Sequence, residues 1–179
     1  SVSSAQVLQD TRCELYGAWQ YLRLSDTAAD AAQAQNTLPA SAQVSTVIQN
    51  GIVLGADDGV AGGIGTVDDT FAQLGRIVPI SGNFPMQPDE IAMTTTLLDA
   101  LGCSYDVGQT VTLKVAANDY DLLAGSGAVM EKAYTLCGVL PAYDVYWNLN
   151  GNLTVSGIVT EPLVLDGQKF QTFYHRAIL

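Results

Sequence analysis

The sequence predicts an α+β fold, in which a small mixed sheet or sheets pack with short helices. Three patterns lead to this prediction. Thr110 to Val115 alternates polar and apolar residues with the period of a strand, and Val44 to Leu54 is rich in the β-branched residues that favour strands. Thr94 to Gly102 has the capping threonine, the leucine face and the terminal glycine of a short helix.

Length and charge limit the class of protein. The 179 residues support one domain of ordinary size, spanning residues 1–179, or one domain with a small inserted lobe. With 7 basic and 18 acidic residues the formal net charge is −11, which opposes binding to nucleic acid and to anionic lipid headgroups. No run approaches the roughly 18 apolar residues needed to cross a bilayer, and the first residues do not form a signal peptide. We therefore expect a soluble, folded chain without a nucleic-acid partner.

The first forty residues predict one strand and one helix. Cys13 to Leu24 alternates with period two, which indicates a strand. The alanine-rich run from Thr27 to Gln35 favours a helix, which Ser25 and Asp26 can cap and which Pro39 ends.

The next forty residues return the chain to the sheet through Val44 to Leu54. Five glycines between Gly55 and Gly65 predict a flexible turn. Val67 to Arg76 fits either a strand or a short helix. Pro79 places the apolar segment Ile77 to Ile80 at an edge or a bend.

The segment after Ser81 predicts a loop, a short strand and a short helix in succession. The strand covers Ile91 to Met93, and either Thr94 or Thr95 can cap the helix. Gly102 stands where a left-handed residue closes the helix.

The last third of the chain predicts mainly strands. Asp106 to Gln109 is a turn candidate before the strand Thr110 to Val115, in which Val111, Leu113 and Val115 point inward. Ala116 to Met130 is predicted to be a loop, and Ala133 to Leu140 a strand that Pro141 ends. Further short strands are predicted at Tyr143 to Leu149, Leu153 to Val159 and Lys169 to Tyr174.

An ordered set of short motifs runs from Ser81 to Val139. The motifs are Gly82-Asn83-Phe84-Pro85, Glu90-Ile91-Ala92-Met93, Leu97 to Gly102, Val107 to Leu113 and Tyr134 to Val139. In their order and spacing they resemble the extracytoplasmic domain of FtsX-like and MacB-like ABC transporter permeases. The chain departs from that pattern at Asn83, where the family usually has arginine, and at Gln109, where it usually has aspartate.

This resemblance implies a fold like that of the MacB periplasmic domain and a place at the extracytoplasmic face of the cell membrane. In the family, the domain is inserted between the first two transmembrane helices of a permease, which here would flank the chain. The implied partners are a cytoplasmic ATPase subunit, reached through the parent permease, and a second permease copy or another extracytoplasmic protein. The implied function is non-enzymatic coupling or recognition, by mechanotransmission or in the export of a lipid, peptide or antibiotic, without a cofactor.

Catalytic and metal chemistry have few candidate residues. His175 is the only histidine, so serine, cysteine and multi-histidine mechanisms would all depend on it. The sequence has no G-x-S-x-G, H-E-x-x-H or Walker phosphate motif. We therefore expect no catalytic, cofactor-binding or metal-binding residues.

Two acidic pairs flank the glycine-rich segment and raise the alternative of a calcium site. Asp57-Asp58 and Asp68-Asp69 could supply oxygen ligands, but their spacing matches no EF-hand, and a solvated acidic turn is the preferred interpretation. Asp89-Glu90 is interpreted as the start of a strand. The thiols Cys13, Cys103 and Cys137 have no C-x-x-C spacing, so they are expected to be plain buried thiols, with one disulfide as the alternative.

Tyr143, Tyr146 and Trp147 form the densest aromatic cluster in the sequence. They are the candidate contact with a partner, and burial of at least one of the rings is the competing expectation.

Two other classes of function stay open from sequence. The first is a secreted or surface-anchored adhesion or ligand-binding module, which a secretion signal and a wall anchor in the parent gene would indicate. The second is a hydrolase that uses acidic residues, which would show clustered carboxylates with perturbed pKa values in a deep cleft.

Overall fold

The computed structural model describes residues 3–8, 21–25, 33, 36–116, 129–147, 154–163 and 172–178. Its strands are β1 (Tyr21–Ser25), β2 (Ala42–Leu54), β3 (Val60–Val67), β4 (Ser81–Gly82), β5 (Glu90–Thr94), β6 (Thr110–Ala116), β7 (Val129–Leu140), β8 (Val155–Ile158) and β9 (Thr172–Ile178). Its helices are α1 (residues 4–8), α2 (Phe71–Gly75), α3 (Thr95–Ala100) and α4 (Tyr143–Trp147). None of the helices in these ranges has the length and apolar character that a membrane span requires.

All nine of these strands belong to one mixed sheet. The strand order is β1-β9-β2-β3-β8-β5-β7-β4, and β6 pairs with both β2 and β7. Because β6 joins β2 to β7, six strands (β2, β3, β8, β5, β7 and β6) pair in a closed ring. The pairs β3–β8 and β5–β7 are parallel and the others are antiparallel. The predicted α+β class with a mixed sheet and short helices is confirmed.

A three-stranded arm extends from this ring. Residues Ala42 to Ile48 of β2 pair with β9, whereas Ile52 to Leu54 pair with β6, and an irregularity between Gln49 and Gly51 separates the two halves. The arm consists of β1, β9 and this first half of β2. At its outer side β1 pairs with β9 in the antiparallel direction. Tyr21, the first residue of β1, lies opposite Arg176 near the end of β9, so β1 begins at the end of the arm where β9 ends.

Two hydrophobic clusters occupy opposite faces of the sheet. Ile91 and Met93 of β5 are fully buried in one cluster, and Ala92 between them is buried in the other, as the alternation of side chains along a strand requires. We call the first cluster the ring core; it includes Val53, Ile64, Ile91, Met93, Leu97, Leu98, Val111, Leu113, Val115 and Leu136. We call the second the aromatic layer; it consists of Val47, Phe71, Ile77, Ala92, Leu140, Tyr143, Trp147, Val155 and Ile158.

The ring core forms where the sequence predicted it. The buried residues of β6 are the predicted Val111, Leu113 and Val115, followed by Ala116. Of the two predicted capping residues, Thr94 is the N-cap of α3, and its Oγ1 accepts a hydrogen bond from Leu97 N at 3.2 Å. Gly102 follows the helix with φ 68°, as predicted for a left-handed residue.

The glycine-rich segment differs from its prediction as a flexible turn. Only residues 55–59 form the turn, and β3 occupies Val60–Val67. In the pairing of β2 with β3, a Cβ on Gly65 would overlap the carbonyl oxygen of Ile48. These glycines therefore permit close contact between strands. Turn propensity alone does not distinguish this role of glycine from its role in a flexible turn.

The predicted strand at Tyr143 to Leu149 is wrong, because Tyr143–Trp147 form helix α4. Tyr143 and Trp147 are buried whereas Val145 is 60% exposed, so the buried residues follow the i, i+4 spacing of a helix rather than the period of a strand. For Val67 to Arg76 the structure has the helical alternative, α2.

The remaining predictions are only partly covered by the described residues. Most of the predicted strand Cys13 to Leu24 and most of the predicted helix Thr27 to Gln35 lie outside them, and β1 includes the end of the former. Of the predicted loop Ala116 to Met130, residues 117–128 lie outside the described part, and β7 already begins at Val129. The strands predicted at Leu153 to Val159 and Lys169 to Tyr174 overlap β8 and β9.

Candidate functional site

The loop that follows β4 carries the first motif and lines two surface grooves. We call residues Asn83 to Met86 the Phe84 loop. Asn83 N donates a hydrogen bond to the carbonyl oxygen of Cys137 in β7 at 2.9 Å. At the other end, Glu90 Oε1 accepts from Met86 N at 3.0 Å and from Gln87 N at 2.9 Å. The loop is therefore fixed to β7 on one side and to the start of β5 on the other.

The larger groove, which we call the acidic groove, has a volume of about 380 Å³. It is lined by Val67, Asp68, Asp69, Phe71, Ala72, Phe84, Pro85, Ile158, Val159 and Thr160. Most of these side chains are apolar, and two are carboxylates. None of the described residues that line the groove is lysine or arginine.

Asp68 is held in one position at the end of β3. Its Oδ1 accepts hydrogen bonds from Ser45 Oγ at 2.7 Å and from Thr70 Oγ1 at 3.0 Å, and its Oδ2 accepts from Thr46 N at 2.6 Å. Ser45 and Thr46 belong to the half of β2 that pairs with β9. Asp68 therefore connects the acidic groove with the arm.

The smaller groove, which we call the β7 groove, has a volume of about 240 Å³ and shares Phe84 with the acidic groove. It is lined by Asn83, Phe84, Met86, Glu90, Val107, Gly108, Thr135, Leu136 and Cys137. The predicted turn Asp106 to Gln109 contributes to the wall of this groove and is bonded to β7. Gly108 N donates to Leu136 O at 2.8 Å, and Leu136 N donates to Gln109 O at 2.9 Å. Burial and, to a smaller extent, the charge of Glu90 raise the pKa of the Cys137 thiol to about 11. This thiol is therefore neutral near pH 7.

The two departures from the family motifs have structural roles in this chain. Asn83 contributes backbone contacts to β7, and its carbonyl oxygen lies 3.4 Å from Cys137 Sγ. Gln109 Nε2 donates to Ser104 O at 2.8 Å and also lies 3.2 Å from Ser104 Oγ. An amide side chain thus stabilises this turn without the carboxylate that the family usually has there.

Two of the three predicted aromatic contact residues are in the aromatic layer. Tyr143 and Trp147 are 5% and 3% exposed, and each ring meets that of Phe71 edge-on at 5.7 Å between centroids. Tyr143 OH donates to Val155 O at 2.6 Å, and burial raises the pKa of its phenol well above the ordinary value. The expected burial of at least one ring is confirmed. Only Tyr146, at 43% exposure, presents substantial surface, and its contact with a partner stays a prediction.

Asp144, which sequence reasoning did not select, fixes α4 to α3. Its Oδ2 accepts from Thr94 Oγ1 at 3.0 Å and its Oδ1 accepts from Thr96 Oγ1 at 3.1 Å. Thr94 is also the N-cap of α3, so one threonine links the helix start to the aromatic layer. Since Asp144 lies some 50 residues from its partners, no local pattern identifies it.

The two acidic pairs are separated by the length of β3. Asp57 and Asp58 precede this 8-residue strand and Asp68 and Asp69 follow it, which puts roughly 25 Å between them at the usual rise of a strand. Asp58 forms an exposed ion pair with Lys114 at 3.5 Å. Within the described ranges, no three His, Cys, Asp or Glu side chains are placed to hold a metal ion.

The remaining candidate residues are placed only in part. His175 lies in β9, where its backbone is paired with Leu22 on one side and Ser45 on the other, and its lack of a catalytic role stays a prediction. Cys103 and Cys137 are free thiols of intermediate burial, and Cys13 lies outside the described residues. Glu90 is the first residue of β5, which agrees with its interpretation as the start of a strand.

Comparison with known proteins finds similarity among solved structures. No family model matches the sequence. No curated protein matches it either. A domain of a protein named as a permease, from Porphyromonas gingivalis, is similar over 82% of this chain, with 13% identity and a TM-score of 0.42. The periplasmic region of MacB from Actinobacillus actinomycetemcomitans is similar over 83% of this chain, with 8% identity and a TM-score of 0.45. This chain spans 65% and 64% of the lengths of these two chains, respectively.

Proposed function

We propose that this chain is a non-enzymatic extracytoplasmic domain of an ABC transporter permease. In this proposal it recognises partners or transmits motion at the outer face of the cell membrane, while a cytoplasmic ATPase subunit of the same transporter hydrolyses ATP. A second permease copy or another extracytoplasmic protein is the expected partner at this face. Export of a lipid, peptide or antibiotic is the corresponding transport activity.

The observation that carries the proposal is the assembly of the motifs into one contiguous unit. The Phe84 loop and β5 lie beside β7, the turn at Gly108 is bonded to Leu136 of β7, and α3 packs into the ring core. Residues separated by up to about fifty positions thus meet around one strand. Because the contacts are backbone bonds and packing, the unit has the features of a scaffold rather than those of a reactive centre.

The arm supports insertion of the domain between two membrane helices. A domain inserted in this way must receive and return the chain at one side. In the arm, β1 begins opposite Arg176, and Ile178, the last residue of β9, lies opposite Ala42. The first residue of β1 and the last residue of β9 thus lie at the same end of the arm, which supports insertion at one membrane surface.

The proposal is tested by the location of the domain in cells that produce the parent protein. We would replace Asp58, which is 72% exposed in the turn before β3, with cysteine and label intact cells with a membrane-impermeant maleimide. The expected result is labelling of Asp58→Cys in intact cells, with the unsubstituted protein as the control for the native thiols. Labelling only after the membrane is permeabilised would contradict the proposal.

A second measurement separates the permease from a surface adhesin. The parent gene is expected to encode transmembrane segments on both sides of this chain. The parent protein is expected to copurify with an ATPase subunit. In detergent-solubilised complex, ATP hydrolysis by that subunit should change when the arm is rigidified by a cysteine pair that joins β1 to β9. An ATPase rate that is insensitive to this cross-link would contradict coupling through the domain.

A further inference from the structure

We propose that the acidic groove binds a short extended segment of a partner polypeptide, in which a lysine or arginine side chain lies close to a hydrophobic one. This inference rests on the proposed function only for the source of the segment, which is a protein at the outer face of the membrane. The recognition itself follows from the chemistry of the groove.

The acidic groove combines apolar walls with negative charge. Val67, Phe84 and Pro85, which are partly exposed, contribute hydrophobic surface, and the volume of about 380 Å³ lies in the usual range of roughly 300–1,000 Å³ for ligand sites. Such walls favour the aliphatic stem of a lysine or arginine side chain, whose charged end stays near water or a carboxylate. Apolar walls alone would not discriminate among hydrophobic ligands, so the negative charge of the groove determines the chemical class of the ligand.

The carboxylates of Asp68 and Asp69 supply this charge. Ser45 Oγ and Thr46 N hold Asp68 in place, and the Thr70 hydroxyl shares its one hydrogen between Asp68 and Val44 O. Since a carboxylate has about four acceptor positions, at least one remains for a ligand. Asp69 is exposed at the same rim. Neither residue has a basic partner among the described side chains, where the ion pair is Lys114–Asp58. A fixed carboxylate without a counter-ion favours a cationic group because little ordering is needed on binding.

The arrangement of the two grooves favours a polypeptide over a small cation. The acidic groove and the β7 groove share Phe84, so a ligand that crosses the Phe84 loop reaches both. In an extended chain, side chains i and i+2 point the same way and lie about 7 Å apart. One can enter the acidic groove while the other contacts Val107, which is 44% exposed in the β7 groove. In the described part of the sheet, β4 pairs with β7 alone, which leaves its outer edge for main-chain hydrogen bonds.

The position of the groove connects binding to the arm. Asp68 is bonded to Ser45 and Thr46, in the half of β2 that pairs with β9. A cation that engages Asp68 therefore changes the electrostatic environment at the junction of ring and arm. In the proposed function, the effect of partner binding would pass through this junction to β1 and β9.

The experiment is a titration of this chain with synthetic peptides, followed by the backbone amide signals in NMR spectra. The probe is acetyl-Ala-Arg-Ser-Phe-Ala-amide, and its control is the same peptide with neutral citrulline in place of arginine. We expect shifts at residues 67–72, 84 and 158–160, saturating at millimolar or lower concentration, and at least fivefold weaker binding of the citrulline peptide. Binding should also weaken between 0.05 and 0.5 M NaCl, on the order of severalfold, because salt screens the ion pair.

Variants of the carboxylates assign the effect to the groove. Asp69→Asn removes an exposed charge and should weaken peptide binding about threefold, and Asp68→Asn should weaken it about tenfold. Asp58→Asn makes the same change of charge beyond the far end of β3 and should leave the affinity unchanged. If Asp68→Asn does not fold, Asp69→Asn and the citrulline comparison still decide the question.

Three results would overturn the inference. The first is the absence of shifts at 5 mM peptide, and the second is equal binding of the arginine and citrulline peptides. The third is an affinity for phenethylammonium, a small aromatic cation, that equals that of the peptide. All of these measurements use the isolated chain, so their failure is distinguishable from failure of the labelling experiment on the parent protein.

Discussion

The ring core and the aromatic layer share one sheet, yet they are constructed differently. The ring core is aliphatic and takes alternate residues from β5 and β6 together with the leucines of α3. The aromatic layer joins Phe71 of α2 to Tyr143 and Trp147 of α4, helices that are about seventy residues apart in the chain. The comparison shows that a repetitive local pattern specifies one face of the sheet, whereas the other face depends on contacts between distant segments.

The largest expected effect comes from truncation at the centre of each cluster. Trp147→Ala removes a ring that is 3% exposed, and Leu97→Ala removes a fully buried side chain of the ring core. We expect losses in the free energy of unfolding of about 3–5 kcal/mol for Trp147→Ala and about 2–5 kcal/mol for Leu97→Ala. Urea denaturation measures both, with exposed Tyr146→Ala as the control. A loss below about 1 kcal/mol for Trp147→Ala would mean that the aromatic layer contributes little to stability.

The second effect tests how tightly each cluster is packed. A Cβ on Gly75 would lie 2.6 Å from Cη2 of Trp147, whereas a Cβ on Gly62 would lie 3.0 Å from Cδ1 of Leu97, a flexible methyl group. We expect Gly75→Ala to cost about 1–3 kcal/mol, reduced by its better helix propensity, and Gly62→Ala to cost less. Thermal unfolding of the two variants measures the difference. The reverse order would contradict the tighter packing that we assign to the aromatic layer.

The third effect concerns Gly102, the left-handed glycine that follows α3. Gly102 has φ 68°, and a Cβ there would meet no atom within 4 Å, so substitution strains only the backbone. We expect Gly102→Val to destabilise the domain by about 1–2 kcal/mol, the cost of a left-handed conformation for such a residue. Gly102→Asn should cost less, because asparagine tolerates this conformation. Equal melting temperatures of the two variants and the unsubstituted chain would contradict the helix end.

The smallest effect is a dependence of stability on alkaline pH. The Cys137 thiol has its pKa raised from 9.0 to about 11, first by burial and then by Glu90, and burial raises the pKa of Tyr134 from 10.0 to about 12. Above pH 9 the unfolded chain therefore loses a proton that the folded chain retains, and stability falls as the pH rises towards 11. Cys137→Ala should flatten this decline in urea denaturation between pH 8.5 and 10.5. An unchanged slope would show that the thiol is not protected by the fold, and Cys103→Ala is the matched control.

The sequence predicted most segments of the candidate site as separate motifs, but it did not predict the surface that they form together. The Phe84 loop, the turn at Gly108 and strand β7 were each predicted from local residues, and the structure brings them together. The acidic groove was not predicted. It requires Asp68, Phe84 and Ile158 to meet through the pairing of β3, β8 and β5, and the sequence carries no periodic signal for that pairing.

The wrong predictions share a physical cause. Gly55 to Gly65 was interpreted by turn propensity, but the glycines of β3 permit β2 and β3 to approach closely. Tyr143 to Leu149 was predicted to be a short strand, but burial of Tyr143 and Trp147 against Phe71 selected the helical spacing. In both segments tertiary contacts outweighed a propensity that is worth only about 1 kcal/mol per residue.

The sequence by itself determined the α+β class, the strands β2, β6 and β7, and the end of α3, and it limited the N-cap of α3 to Thr94 or Thr95. These features follow from alternation, capping and conformational freedom, which act between residues a few positions apart. Only the tertiary structure decided that six strands pair in a closed ring, that Asp144 links α4 to α3, and that Phe84 lines two grooves. Those features depend on pairings between distant segments, whose stability comes from the burial of the whole assembly rather than from any local pattern.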